Sequence, residues 1–157
     1  MAQVDLKDAV VKIKDGGSEE LTIKIGEGNL SWTETHNRTY VKDRGNLDTV
    51  KNGDEEPLDV KLTATWEYYK STGSGDISPD DAMLQRGGAA AWQSSDADLC
   101  APYAVDIECV ITPPCTGQTM TYTLPDFRVE SVEFDLKAGT INLNGKCNIV
   151  APTRSIS

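Results

Sequence analysis

Four cysteines and a single histidine are the residues of this chain best equipped for nucleophilic, redox or metal chemistry. Three thiols crowd into the stretch DLCAPYAVDIECVITPPCTG, as Cys100, Cys109 and Cys115, and the fourth, Cys147, lies near the end of the chain. Eight residues separate the first two, five the next two and thirty-one the last two. Zinc sites are built on closely spaced ligand pairs such as C-x-x-C, and this spacing offers none. A thiol or hydroxyl nucleophile needs a neighbouring base. His36, the only imidazole, sits in TETHNRT with no Cys or Ser near it in sequence, and reads as a surface histidine. The acidic run NGDEEP lacks the alternating oxygen ligands of a calcium loop. No Gly-rich phosphate loop joins a strand to a helix. Glu133 and Asp135 share one strand face, which alternation explains without acid–base work. These residues predict no metal, no cofactor and no enzyme.

The elements that must position them follow period two. AVVKIK (9–14) leads through DGGS into ELTIKIG (20–26), where Leu21, Ile23 and Ile25 alternate with Thr22 and Lys24; NLSWTET (29–35) follows. In LDVKLTATWEYY (58–69), Leu58, Val60, Leu62, Ala64 and Trp66 take one face and Asp59, Lys61, Thr63, Thr65 and Glu67 the other. PYAVDIECVI (102–111) puts Val105, Ile107, Cys109 and Ile111 on one face. RVESVEFDLKAGTINLNGKCNIV (128–150) reads as a hairpin, with Val132, Phe134 and Leu136 on one side of its first strand, and Ile141, Leu143, Cys147 and Ile149 aligned on its second. One helix is signalled in SPDDAMLQRGG (78–88): Ser78 as N-cap, Pro79 at the first position, Asp80 and Asp81 in the first turn, and Gly87 or Gly88 to end it. The expectation is a mainly β, antiparallel sandwich or barrel with one flanking α-helix, in a single domain over residues 1–157 with 150–157 as a C-terminal tail.

Two segments resist this scheme. KSTGSGDIS (70–78) has a linker composition. HNRTYVKDRGNLDTVKNGDEEP (36–57) reads as a long polar loop, uncommon in a compact domain unless it has a function. It carries Tyr40, Val41, Leu47 and Val50, which either fold back on their own domain or lie on a neighbouring subunit.

The strand geometry returns to the thiols. Cys109 and Cys147 face inward, as separate buried thiols or as a pair meeting across the core. Cys100 and Cys115 flank a strand whose ten residues, at ~3.3 Å each, hold its ends ~30 Å apart. A disulfide needs Cα atoms within ~7 Å, so these two point to an inter-subunit bond.

Composition sets the outer limits. Twenty-five acids against fifteen bases give a net charge of −10, a surface that repels nucleic acid and anionic membranes. Basic residues do not cluster beside the aromatics as a strand-stacking platform requires. Charges at Asp5, Lys7 and Asp8 interrupt any apolar run of a signal peptide, so synthesis in a cytosol is expected.

The stretch GNLSWTETHNRTYVKDRGNLDTVKNGDEEPLDVKLTATWEYY, the capped helix, and then CAPYAVDIECVITPP and YTLPDFRVESVEFDLKAGTINLNGKC together resemble the tail tube proteins of tailed bacteriophages, over roughly residues 9–149. Its strongest part is the DRGxLDxVxxGDExPLxV run. The resemblance implies hexameric rings whose inner strands join into one continuous β-barrel. Such rings stack into a hollow tube that conducts genomic DNA in a virion tail assembled in the host cytoplasm. It implies that the loop bearing Tyr40, Val41, Arg44, Leu47 and Val50 reaches an adjacent ring, and that Asp59, Glu133 and Asp135 line an acidic lumen through which DNA slides unbound. Sheath, tape measure, baseplate and tail terminator proteins are the implied partners, with no membrane. The inner tube of a contractile injection or type VI secretion system is an alternative. A carbohydrate- or receptor-binding β-sandwich is a second.

Overall fold

The computed structural model describes residues 5–26, 28–71, 75–115 and 117–157. Alternation builds most of it. The strands β1 (Ala9–Lys14), β2 (Glu20–Ile23) and β3 (Asn29–Thr33) come first. A hairpin of β4 (His36–Asp43) and β5 (Asn46–Glu55) follows, and then β6 (Leu58–Thr65). A two-residue pair, β7 (Tyr69–Lys70) and β8 (Asp76–Ile77), precedes the helix α1 (Pro79–Leu84). The remaining strands are β9 (Val105–Ile111), β10 (Met120–Asp135), β11 (Thr140–Cys147) and β12 (Thr153–Ile156).

Eight strands form one antiparallel sheet in the order β2-β1-β9-β10-β11-β6-β3, with β12 also on β10. The buried residues sit on one face: Val11 and Ile13, Leu58 to Ala64 in alternation, Val105 to Ile111 in alternation, Ile141 and Leu143. Each large aliphatic removed from water there contributes about 1.5–3 kcal/mol. The segment from β8 to Trp92 closes over this face, adding Ile77, Ala82, Met83, Ala89 and Trp92 to the same core. Three strand spacings of ~4.8 Å would separate β3 from β10 in a flat sheet. The rings of Trp32 and Tyr122 nevertheless lie 5.2 Å apart, so the sheet is strongly curved. The Lys24 carbonyl accepts from Thr65 N–H at 2.9 Å, tying the chain after β2 to the end of β6. The end strands β2 and β3 do not pair with each other among the described residues, so the sheet curls without closing into a barrel.

Strand β10 is the spine. Its first half pairs with β9 on one edge and β12 on the other, and its second half pairs with β11. The switch comes at bulges between Leu124 and Phe127 and between Val129 and Ser131. Pro125 has no N–H to give a ladder and is tolerated at such a bulge. Asp126 takes φ +53 beside it. Its N–H donates to Asp106 Oδ1 at 3.0 Å and its Oδ1 accepts from Ser95 Oγ at 2.8 Å. Burial pushes the Asp106 carboxyl up, against that hydrogen bond. At Gly145, opposite the bulge, a Cβ would meet the Arg128 carbonyl oxygen at 2.1 Å, so only glycine lets the strands approach.

Five expectations need correction. Residues 36–57 are not a loop but the β4–β5 hairpin, turned at Arg44 (φ 55) and Gly45 (φ 85), both in the left-handed region that a tight hairpin turn demands. The helix is shorter than its sequence signals. Gln85 enters the left-handed region (φ 53) and ends it, and Gly87 opens a 3-10 turn instead. Ser78 stands at the N-cap position without capping, because its hydroxyl donates to the Asp80 carboxylate. The segment 150–157 carries β12. Of the linker 70–78, residues 72–74 lie outside the described residues, and its flanks pair as β7 and β8.

Candidate functional site: free edges and a projecting hairpin

The part of the sheet formed by β3, β6, β11 and the second half of β10 is a four-stranded band. Strand β6 pairs with β3 from Asp59–Thr33 to Thr63–Asn29, and β11 pairs with β10 from Cys147–Phe127 to Thr140–Asp135. β9 stops at Val105, opposite Phe127. Among the described residues, Arg128 to Asp135 therefore have no strand on their other edge, and neither does the outer edge of β3. Unpaired edges of this kind template pairing with another chain.

The inner face of the band is core and the outer face is polar. The register places Asp59, Lys61 and Thr63 beside Lys146, Asn144 and Asn142, with Arg128, Ser131, Glu133 and Asp135 continuing the same face. Thr63 Oγ1 donates to Asn142 Oδ1 at 2.6 Å. The lumen candidates Asp59, Glu133 and Asp135 thus share one surface, but with Lys61, Arg128 and Lys146. Asp135 also accepts from the N–H groups of Lys137 and Ala138 at 3.1 Å, pinning the β10–β11 turn.

At the Leu58 end of the band the β4–β5 hairpin leaves the body. All ten residues of β5 are exposed. Tyr40 faces Val50 across the ladder and Lys42 faces Leu47. Tyr40, Arg44, Leu47 and Val50 are exposed and Val41 half-buried, and none belongs to the core. At its root Asn37 Nδ2 donates to the Asp54 carbonyl at 2.9 Å and to Glu56 at 3.1 Å. His36 makes a 3.2 Å contact with Glu34. A cleft of about 310 Å³ lies there, lined by Thr35–Arg38, Asn52–Glu55 and Val150.

The thiols separate by environment. Cys100 and Cys115 are exposed in turns flanking β9, and Cys109 and Cys147 are buried. Burial pushes the Cys109 thiol up, and burial with the charges of Asp126 and Asp106 pushes Cys147 up to about 12. Tyr122 and Phe127, their respective neighbours on β10, are five residues apart, ~17 Å along the strand at ~3.4 Å per residue, which is too far for a bond. All four cysteines are free. No group of three or more His, Cys, Asp or Glu among the described residues could hold a metal ion, and no helix is long and apolar enough to cross a membrane.

No protein family and no curated protein matches the sequence. Solved structures do match the fold. A chain of an extracellular contractile injection system, in the cryo-EM structure of the PVC sheath/tube terminator in its extended state, superposes with TM-score 0.61 at 12% identity, covering 100% of this chain and 98% of that one. The anti-feeding prophage cap, the AFP tube-terminating cap, gives 0.59 at 11%, covering 100% of this chain and 92% of that one. The fold is shared with these tube-end structures. At such identities the likeness is one of fold. The curved sheet, the band and the hairpin remain this chain's own to interpret. The two features sequence reasoning missed, the free half of β10 and the paired arm β4–β5, both lie in polar or Pro-interrupted stretches.

Proposed function

We propose that this chain is a structural, non-catalytic subunit of a tail-like tube, in which copies close into rings and rings stack around a lumen that passes DNA. The observation that carries this reading is the band with two free edges. Its four strands alternate in direction, so β3 runs antiparallel to β10. Rotation about a ring axis preserves each strand's sense, so β3 of one copy meets the free half of β10 of the next as an antiparallel pair. Every copy then satisfies its neighbour's edge, and cyclic closure leaves neither edge of the band exposed. Six copies would give a hexameric ring with its polar face toward the lumen. The hairpin, stranded in solvent as a two-stranded ribbon, is marginal by itself; a contact with an adjacent ring accounts for it. Cys100 and Cys115, both at the surface, are proposed to join copies as a disulfide once the assembly meets an oxidising medium.

Negative-stain microscopy of the purified full chain tests the reading: rings or hollow rods are expected, and a monomer at every concentration would overturn it. A second reading, a terminating cap on a tube built from another protein, draws on the two matched structures. It predicts single rings that never lengthen. The inner tube of a contractile injection system differs from a phage tube in cargo rather than architecture, and genome context separates them.

A further inference from the structure

Two Asn-Gly dipeptides occur in this chain, Asn52–Gly53 in β5 and Asn144–Gly145 in β11. Such a pair carries its own chemistry. The amide nitrogen of the glycine can attack the side-chain carbonyl carbon of the asparagine, and a residue bare of Cβ lets the main chain swing into that approach. What holds the backbone decides whether it happens. Strand β11 is paired on both edges: Asn144 stands opposite Ser131 and Lys61, and Gly145 is buried opposite Val129 and Val60. The related Asp15–Gly16 pair is locked as well, since the Asp15 carboxylate accepts from the N–H groups of Gly17 at 2.9 Å and of Glu19 and Gln93 at 3.0 Å. Asn52 and Gly53, by contrast, are exposed in a ribbon of two strands. The ladder is also broken there. Arg38 pairs with Asn52 and His36 with Glu55, so Gly53 and Asp54 together oppose Asn37. A bulge leaves its extra residue unpaired, and an exposed two-stranded ribbon opens readily.

We propose that Asn52–Gly53 is a self-modifying site, which converts an amide at the hairpin root into a carboxylate. The Gly53 nitrogen bonds to Asn52 Cγ, and its proton leaves with the side-chain nitrogen as ammonia, closing a cyclic imide. Water then opens the ring. Cleavage at Cγ leaves an aspartyl residue; cleavage at the main-chain carbonyl leaves an isoaspartyl one. Water is the co-reactant, and nothing is oxidised or reduced. The new carboxylate lies across the ladder from Arg38, a favourable pairing of opposite charges. The cleft at the hairpin root, already lined by Asp54 and Glu55, becomes one charge more acidic. The isoaspartyl product also adds a carbon to the main chain. It does so just before the bonds that root the hairpin, where Asn37 Nδ2 donates to the Asp54 carbonyl at 2.9 Å and to Glu56 at 3.1 Å. A chain that ages in this way loses the register of that root. Nothing in this chemistry requires a ring.

The test uses freshly purified full chain, kept dilute in mildly alkaline buffer, sampled over time and digested with trypsin. Peptide 52–61 should grow heavier by about one dalton and split into two isomers, while peptide 138–146, which holds Asn144, changes at least about tenfold more slowly, because a core ladder opens far less often than an exposed ribbon. In urea, where neither strand holds, the two rates should converge. An isoaspartyl methyltransferase with labelled S-adenosylmethionine should mark the aged parent chain, and should leave an Asn52→Gln chain of the same age unmarked. Asn52 changing no faster than Asn144 in the native chain, a difference that persists undiminished in urea, or equal marking of the two chains would overturn the site.

Discussion

The thiols make the sharpest residue-scale test of the structure. Two of four should react with iodoacetamide in the native monomer, Cys100 and Cys115, while Cys109 and Cys147 should label only after unfolding; mass spectrometry of the modified peptides reads this directly. Asp80 supplies a second. Its burial raises the carboxyl, but hydrogen bonds from Ser78 and Arg86 and the Arg86 charge outweigh that and hold it below the usual carboxylate range. A depressed carboxyl lends stability that is complete above its unfolded value and is lost as pH falls through the folded one. Arg86→Met should therefore cost about 1–3 kcal/mol at neutral pH. The difference between variant and parent should shrink as pH falls through the depressed folded value and Asp80 takes up its proton; thermal melts over a pH series descending from 7 compare them. The sequence placed Ser78 at the right position for a cap. It could not show that a buried carboxylate two residues on would claim the hydroxyl.

Elements differ in how plainly their sequences announce them. Strands β6, β9 and β11 bury one face and solvate the other, so Leu58, Ile107 and Leu143 fall inside as alternation requires. Strand β10 was only half legible because Pro125 interrupts the pattern at its bulge. The β4–β5 hairpin was illegible because neither face is buried in its own chain, and period two shows in composition only when one face is dry. Its signal was the short DRGN turn between Thr-, Tyr- and Val-bearing runs. The free edge that carries the proposed function is a property of where β9 stops, which depends on pairings distant in sequence. Two changes test the elements. Gly145→Ala forces a methyl into the Arg128 carbonyl and should cost about 1–3 kcal/mol with loss of β10–β11 register, seen as faster amide exchange across that pair. Deleting residues 44–53 should abolish assembly, yet leave a monomer whose melting temperature is unchanged, since none of those residues enters the core.

At the scale of the whole molecule, charge is distributed by surface rather than spread evenly. The polar face of the band sets Asp59, Glu133 and Asp135 against Lys61, Arg128 and Lys146. Each phosphate neutralised by a base releases counterions and adds affinity, so in the proposed ring a face that mixes acids with bases lets a polyanion slide where a basic one would hold it. Replacing the three acids with Lys should leave rings and rods intact in negative stain, while short duplex DNA, unbound by the parent, is retained with a steep dependence on salt. In the proposed ring, the four-strand band also limits how such a wall can change in evolution. An even number of strands is what lets identical copies meet head against foot around a circle. A lineage seeking a wider bore can recruit another copy, or insert a complete up-and-down loop of chain. Gaining or losing one strand alone would set parallel neighbours at every seam, so bore diameter in proteins of this plan should vary in discrete steps.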